Sequence, residues 1–269
     1  MKLSCSNLAW PATDTVHALH WLADSGFTGV EVAPTRIAEW DHLTSAVVAD
    51  YGARLVGAGL RASSLQAIFF GRPEAQLLGS PEAFVAMVEH VKRVTAVAYE
   101  LGAGILVFGA PQNRKRGGLP VSQARLLASE RLSALGEICV AANTCLVLEP
   151  IPDQYGADFL CHAAEVRDLV ALCGHAGLGT HLDTACVDLA GDTIASQIAA
   201  TGAGLRHFHA AEPNLGPFSH PVCDHGAAAA ALRHVNYDGW VVIEMREQAA
   251  ALPAIKAAAG FVREMYGDP

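Results

Sequence analysis

The 269-residue sequence holds no stretch of about 18 apolar residues free of charge, so nothing in it reads as a membrane span. Its first ten residues, MKLSCSNLAW, carry one lysine and a short apolar segment and do not read as a signal peptide. Basic residues are scarce: 18 Lys and Arg stand against 27 Asp and Glu, a formal charge of −9. A surface that grips nucleic acid or anionic lipid needs clustered cations, so neither partner is expected. The one basic cluster, Arg114-Lys115-Arg116, is too short to alter that, although its place after a strand leaves an active-site role open. Seven cysteines, an odd number without paired spacing, argue against a disulfide framework and for reduced thiols in the cytoplasm. No G-x-G-x-x-G opens a helix after a strand, which counts against a doubly wound open sheet.

What is present is apolar and periodic. A hydrophobic content of 52% with 17% charged residues suits one large, well-buried domain, expected over residues 1–269. Strand-like runs at 3–8, 29–33, 61–69, 105–109 and 145–150 alternate with helical periodicity at 15–24, 37–51, 82–101 and 122–142. Further helices are predicted at 163–173, 194–200, 227–234 and 248–265, with strands six to eight between them. Pro34 and Gly26 punctuate the early elements, and Pro81 sits where a helix would begin. Eight strands alternating with eight helices predict an α/β fold, a single (β/α)8 TIM barrel.

The ends of the later strands carry the chemistry. CLVLEP closes on Glu149, GTHLDTAC holds Asp183, LRHFHAAE holds His209, and GWVVIEM ends near Glu244. An acid at the end of a buried strand costs several kcal/mol (about 3–5) unless paired or ligated. Residues i and i+2 of a strand share a face, so the last inward position on four successive strands is polar, and barrel active sites are built at that C-terminal rim. Three carboxylates and one imidazole form a hard, oxygen-rich set suited to one divalent ion, Mn2+ or alternatively Mg2+ or Co2+. Gln66, Gln112, Asn113, Arg114, His181, His207 and Arg246 flank these positions. Of these, Arg114 and Arg246 are the candidates for binding a carboxylate or phosphate on a substrate, and His207 reads as a residue beneath the metal. Cys186 reads as filler.

With these motifs the chain resembles the xylose isomerase-like TIM barrels, most closely their ketose 3-epimerase branch. SNLAW, GVEVAP and YDGWVVIE fit the same superfamily, so the resemblance runs along nearly the whole chain. It implies that Glu149, Asp183, His209 and Glu244 ligate the metal and that Glu149 and Glu244 also move protons. It further implies a metal-dependent sugar epimerase or isomerase working through a metal-stabilised enediolate on a small sugar-derived substrate. Gln66, Arg114, His181, Glu212 and Arg246 are the expected substrate-binding residues, and self-association is left open. The chain departs from that branch where Cys186 replaces a histidine, Tyr155 a glutamate and Leu215 an arginine, which disfavours plain ketoses. A metal-dependent dehydratase of a keto-polyol or a dehydroshikimate-like acid is the alternative, because it needs the same proton abstraction. An endonuclease on abasic DNA is disfavoured by the acidic charge and by Cys186. A barrel that binds without catalysis is disfavoured by retention of all four ligand positions.

Overall fold

The computed structural model describes residues 1–267. Among these the chain runs β1 (Lys2–Ser6), α1 (Thr15–Asp24), β2 (Gly29–Val32), α2 (Ser45–Gly57), β3 (Arg61–Leu65), α3 (Pro81–Leu101), β4 (Ile105–Phe108) and α4 (Val121–Ala141). It continues through β5 (Cys145–Leu148), α5 (Ala163–Cys173), β6 (Leu178–Asp183), α6 (Thr184–Leu189) and α7 (Ile194–Thr201). It ends with β7 (Leu205–Ala211), α8 (His225–His234), β8 (Trp240–Glu244) and α9 (Ala251–Tyr266). All neighbouring strands pair in parallel, and β1 pairs with both β2 and β8, so the sheet closes into a barrel without an edge. No helix among the described residues is long and apolar enough to cross a membrane.

Strand alternation divides the core in two. Leu106, Phe108, Leu146 and Leu148 face outward and join the helices in the main apolar cluster, with Leu132, Val166 and Leu169. The intervening Val107, Cys145 and Val147 form a separate small cluster, as the two-residue period of a strand requires. On the side of β1 to β3 the barrel is polar. Ser4 Oγ lies 2.8 Å from Ser63 Oγ, and Ser64 Oγ donates to Glu31 at 2.7 Å. Buried groups of this kind persist because they satisfy one another.

Boundaries differ from the sequence expectation where a side chain caps an end. β1 stops at Ser6, whose Oγ accepts from Leu8 N and starts a 3-10 turn, so the expected extension to residue 8 is lost. The second helix begins at Ser45 instead of 37, capped by Thr44, because two 3-10 turns, Pro34–Arg36 and Trp40–His42, occupy the preceding stretch. β3 ends at Leu65 because Ala67 takes a left-handed φ of 50° and turns the chain away. Nine α-helices are found among the described residues where eight were expected; the extra one is α6, capped by the side chain of Asp183.

Candidate metal centre

β6 ends on Asp183, β8 ends on Glu244, Glu149 directly follows β5, and His209 lies near the end of β7. Asp183 pairs in register with His209, and Ala211 with Glu244, which brings the four side chains to one rim. One ligand atom from each of Glu149, Asp183, His209 and Glu244 lies within 4.8 Å of the others. The site is nearly closed off from solvent from below: His209 is fully buried, Asp183 and Glu149 are buried, and Glu244 is partly exposed.

Local structure fixes each group. The Glu149 backbone N–H donates to Phe108 O at 3.3 Å, and the Arg114 guanidinium donates to the Glu149 carbonyl at 2.6 Å and to the Phe108 carbonyl at 3.1 Å. The Glu149 carboxylate then runs close over Gly109, so close that any Cβ there would collide with Oε2. Asp183 divides its oxygens: Oδ1 accepts from Cys186 N at 2.7 Å, and Oδ2 has no hydrogen-bond partner among the described residues. His209 Nδ1 points to the same space, 3.2 Å from Glu244 Oε2 and 3.8 Å from Asp183 Oδ2.

Behind the imidazole stands Glu31, with Oε1 2.9 Å from His209 Nε2 and Oε2 2.8 Å from His207 Nε2. That carboxylate favours a proton on Nε2 of His209 and leaves the Nδ1 lone pair for the rim. Burial alone would raise the Glu31 pKa, but His209 and His207 outweigh it and hold the group well below the carboxylate range. Burial alone would lower the His209 pKa, but Glu31 and Glu244 drive it well above the imidazole range.

The rim itself is short of positive charge. Burial, followed by repulsion from Glu244, raises the Asp183 carboxyl to about 7. The same two causes, with Asp183 added, lift Glu149 well above its ordinary value. Three crowded carboxylates, an orphaned Oδ2 and the Nδ1 of His209 directed at the same space make a donor set that fits a hard divalent cation, whose charge would replace the proton on Nδ1. Burial, followed by Asp183 and Glu149, pushes the Cys186 thiol up, so it remains protonated with Sγ 3.9 Å from Glu149 Oε1.

A cavity of about 800 Å³ reaches the site and is lined by Glu149 and Glu244, of the four groups, and by Cys186. Of the expected substrate-binding residues, Gln66 and Arg246 also line it, Gln66 held by a hydrogen bond from Nε2 to Ser6 Oγ. The three others, Arg114, Glu212 and His181, do not line it. Arg114 is buried and spends its guanidinium on two backbone carbonyls. Glu212 accepts from His225 Nε2 at 2.7 Å and from Val222 N at 2.8 Å, and so fastens the loop after β7. His181 lies under the centre, its ring edge-on to His209 at 4.2 Å, and burial keeps it neutral. Glu31 and Gly109 are functional neighbours that the motifs did not disclose. An acid inside the four-residue apolar strand GVEV was the available signal for Glu31.

Comparison with known proteins places these features in context. Residues 19–265 match the family described as xylose isomerase-like TIM barrel. A ketose 3-epimerase of Arthrobacter globiformis is 24% identical over 277 residues, covering 100% of this chain and 91% of its own. The structure of D-psicose 3-epimerase with D-tagatose from Clostridium cellulolyticum H10 superposes with a TM-score of 0.80 at 17% identity, over 100% of both chains. The apo structure of 3-keto-D-glucoside 4-epimerase from E. coli gives a TM-score of 0.80 at 18% identity, over 98% of this chain and 99% of that one. With a closed barrel of eight parallel strands and a family match spanning all but its ends, this chain belongs to the xylose isomerase-like TIM barrel family.

Proposed function

We propose that the protein is a divalent-metal-dependent epimerase or isomerase of a keto-sugar or sugar-derived ketone. The observation that carries this reading is the convergence of Glu149 and Glu244, with Asp183 and His209, at the floor of a cavity large enough for a small molecule. The relatives named for ketose 3-epimerase and 3-keto-D-glucoside 4-epimerase support the same class. Glu149, Asp183, His209 and Glu244 would hold the ion. When bound, it would supply the positive charge that polarises a substrate carbonyl and offsets the developing enediolate charge.

The protein's own groups supply the rest. Glu149 and Glu244 stand three strands apart around the barrel, so a carbon held between them presents opposite faces to the two carboxylates. One removes the carbon-bound proton and the other returns a proton to the opposite face, which inverts that centre. Asp183 and His209 do not need to transfer protons; their alignment by Cys186 N and Glu31 keeps the donor set in place. Gln66 and Arg246 are positioned to hold substrate oxygens from the cavity wall.

The test is to load the protein with Mn2+ and incubate it in D2O with ketoses, sugar acids and keto-polyols. Deuterium at one carbon and an epimeric or isomeric product of unchanged constitution are expected. Loss of water from the product would assign the dehydratase reaction instead, and no exchange with any of these compounds would overturn the proposal.

A further inference from the structure

The floor of the cavity is charged, and one of its walls is not. Leu8, Ala67, Ile68, Phe70, Pro73 and Leu215 line the same space as Glu149 and Glu244. Phe70 leaves 68% of its surface to solvent at the edge of this space. Ala67, Ile68, Phe70 and Pro73 belong to the segment after β3, and that segment is firmly built. Three buried side chains serve its backbone. His90 Nε2 donates to Ile68 O at 2.6 Å, Trp40 Nε1 to Phe70 O at 2.8 Å, and Asn113 Nδ2 to both Arg72 O and Ala75 O at 2.7 Å. Ala67 holds a left-handed φ of 50° at the start of the turn, and Phe70 N donates back to Ala67 O at 2.9 Å. The exposed ring is therefore presented, not left over from a flexible loop.

An unmodified ketose carries an oxygen on every carbon. Hydroxyls laid against these six side chains would lose water and gain no side-chain partner from them, which weakens binding there. The cavity, at about 800 Å³, also lies in the upper part of the range that encloses drug-sized ligands, of about 300–1,000 Å³. From the apolar wall, its fixed backbone and its continuity with the catalytic floor, we propose that the substrate is a keto-sugar bearing an apolar, preferably aromatic, substituent. The sugar ketone sits over the four rim residues and the substituent packs on Phe70, Ile68 and Leu8. This deepens the proposed function and rests on it for the identity of the sugar end.

The experiment compares D-fructose with its 1-O-benzyl and 6-O-benzyl ethers, which keep the carbonyl and add one phenyl group at either end of the chain. Dissociation constants on Mn2+-loaded protein are read by calorimetry, and proton exchange in D2O is read in parallel. At least one benzyl ether is expected to bind tenfold or more tightly than fructose, and Phe70→Ala is expected to bring that ratio near one. Circular dichroism of the variant establishes that the fold is kept; Phe70→Leu, should Phe70→Ala not fold, is expected to reduce the ratio partially. Affinities no better than that of fructose for both ethers overturn the proposal, as does a ratio untouched by Phe70→Ala. Dimerisation that Phe70→Ala abolishes, with no benzyl preference, would assign the wall to a second copy and overturn it equally. Tight benzyl-ether binding without any proton exchange would leave the apolar subsite standing and sink the epimerase reading, so the two failures are distinct.

Discussion

Glu31 and His209 meet inside the barrel, with carboxylate Oε1 2.9 Å from imidazole Nε2, both fully buried. The contact joins the second strand to the seventh across the interior and decides which nitrogen of His209 is free to act as a ligand. The other oxygen of Glu31 is shared with His207 and Ser64, so the carboxylate is held from two sides before it orients His209. In the proposed metal site the orientation of His209 thus depends on a residue that never reaches the rim.

Replacing Glu31 tests this dependence. Glu31→Gln keeps the volume but removes the charge that favours a proton on Nε2. Affinity for Mn2+ is expected to fall about 10–100-fold, as is usual when the outer partner of a ligating histidine is lost. Competition with a fluorescent chelator measures it, and circular dichroism shows whether the fold is kept. Wild-type affinity in a folded Glu31→Gln protein would mean that His209 is oriented by other contacts.

Gly109 offers a second, sharper probe. A methyl group at this position would occupy the space of Glu149 Oε2. The backbone of Glu149 is fastened to Phe108 and Arg114, so the side chain must swing off the shared centre to relieve the clash. Displacement of a reacting group by about 1 Å can cost 100-fold. Gly109→Ala is therefore expected to lower turnover at least 100-fold and to weaken metal binding, with stability reduced far less. Full activity in Gly109→Ala would show that Glu149 tolerates a different rotamer and is not held to one geometry.

These two residues also show what the sequence could and could not disclose. The rim residues were legible because each places a ligand-type side chain at or near the end of a strand, and Pro150 marks where the strand containing Leu148 must stop. Glu31 breaks a strand in the same way, but at its middle, and a two-residue period alone does not say whether the acid faces the interior or the helices. Arg114 illustrates the opposite limit. Its position after the fourth strand was read correctly, but its direction depends on Phe108 O and Glu149 O, two carbonyls that only the folded chain brings together. The helix after Asp183 escaped notice because it is short and its cap is a candidate ligand: one aspartate oxygen starts α6 while the other faces the rim.

Arg114 and Arg246 should consequently behave as opposites. Arg114→Ala removes two buried hydrogen bonds from a charged donor; the Glu149 carbonyl loses the guanidinium, and Phe108 O keeps only the Glu149 N–H. A loss of about 2–4 kcal/mol in unfolding free energy is expected, measured by urea titration. Arg246 is exposed and lines the cavity, so Arg246→Ala is expected to stay within about 0.5 kcal/mol of wild type in stability. Its effect belongs in KM, raised roughly tenfold for the best substrate with kcat little changed. Equal stability losses for the two variants would contradict this division of roles.

The two glutamates make the most specific mechanistic demand. Glu149→Gln and Glu244→Gln each keep an oxygen at the rim and remove one base. Metal content is expected to fall modestly, while epimerisation falls about 100–10,000-fold in each variant. The residual exchange in D2O should separate them. If each carboxylate serves one face, Glu149→Gln still takes the proton from the epimer whose C–H points to Glu244 and fails on the other epimer. Glu244→Gln shows the reverse preference. Exchange measured on both purified epimers therefore gives a crossed pattern, which a general loss of structure or of metal cannot produce. Loss of exchange from both epimers in both variants would point to a purely ligating role for the glutamates. Turnover within about tenfold of wild type in both would remove them as bases altogether.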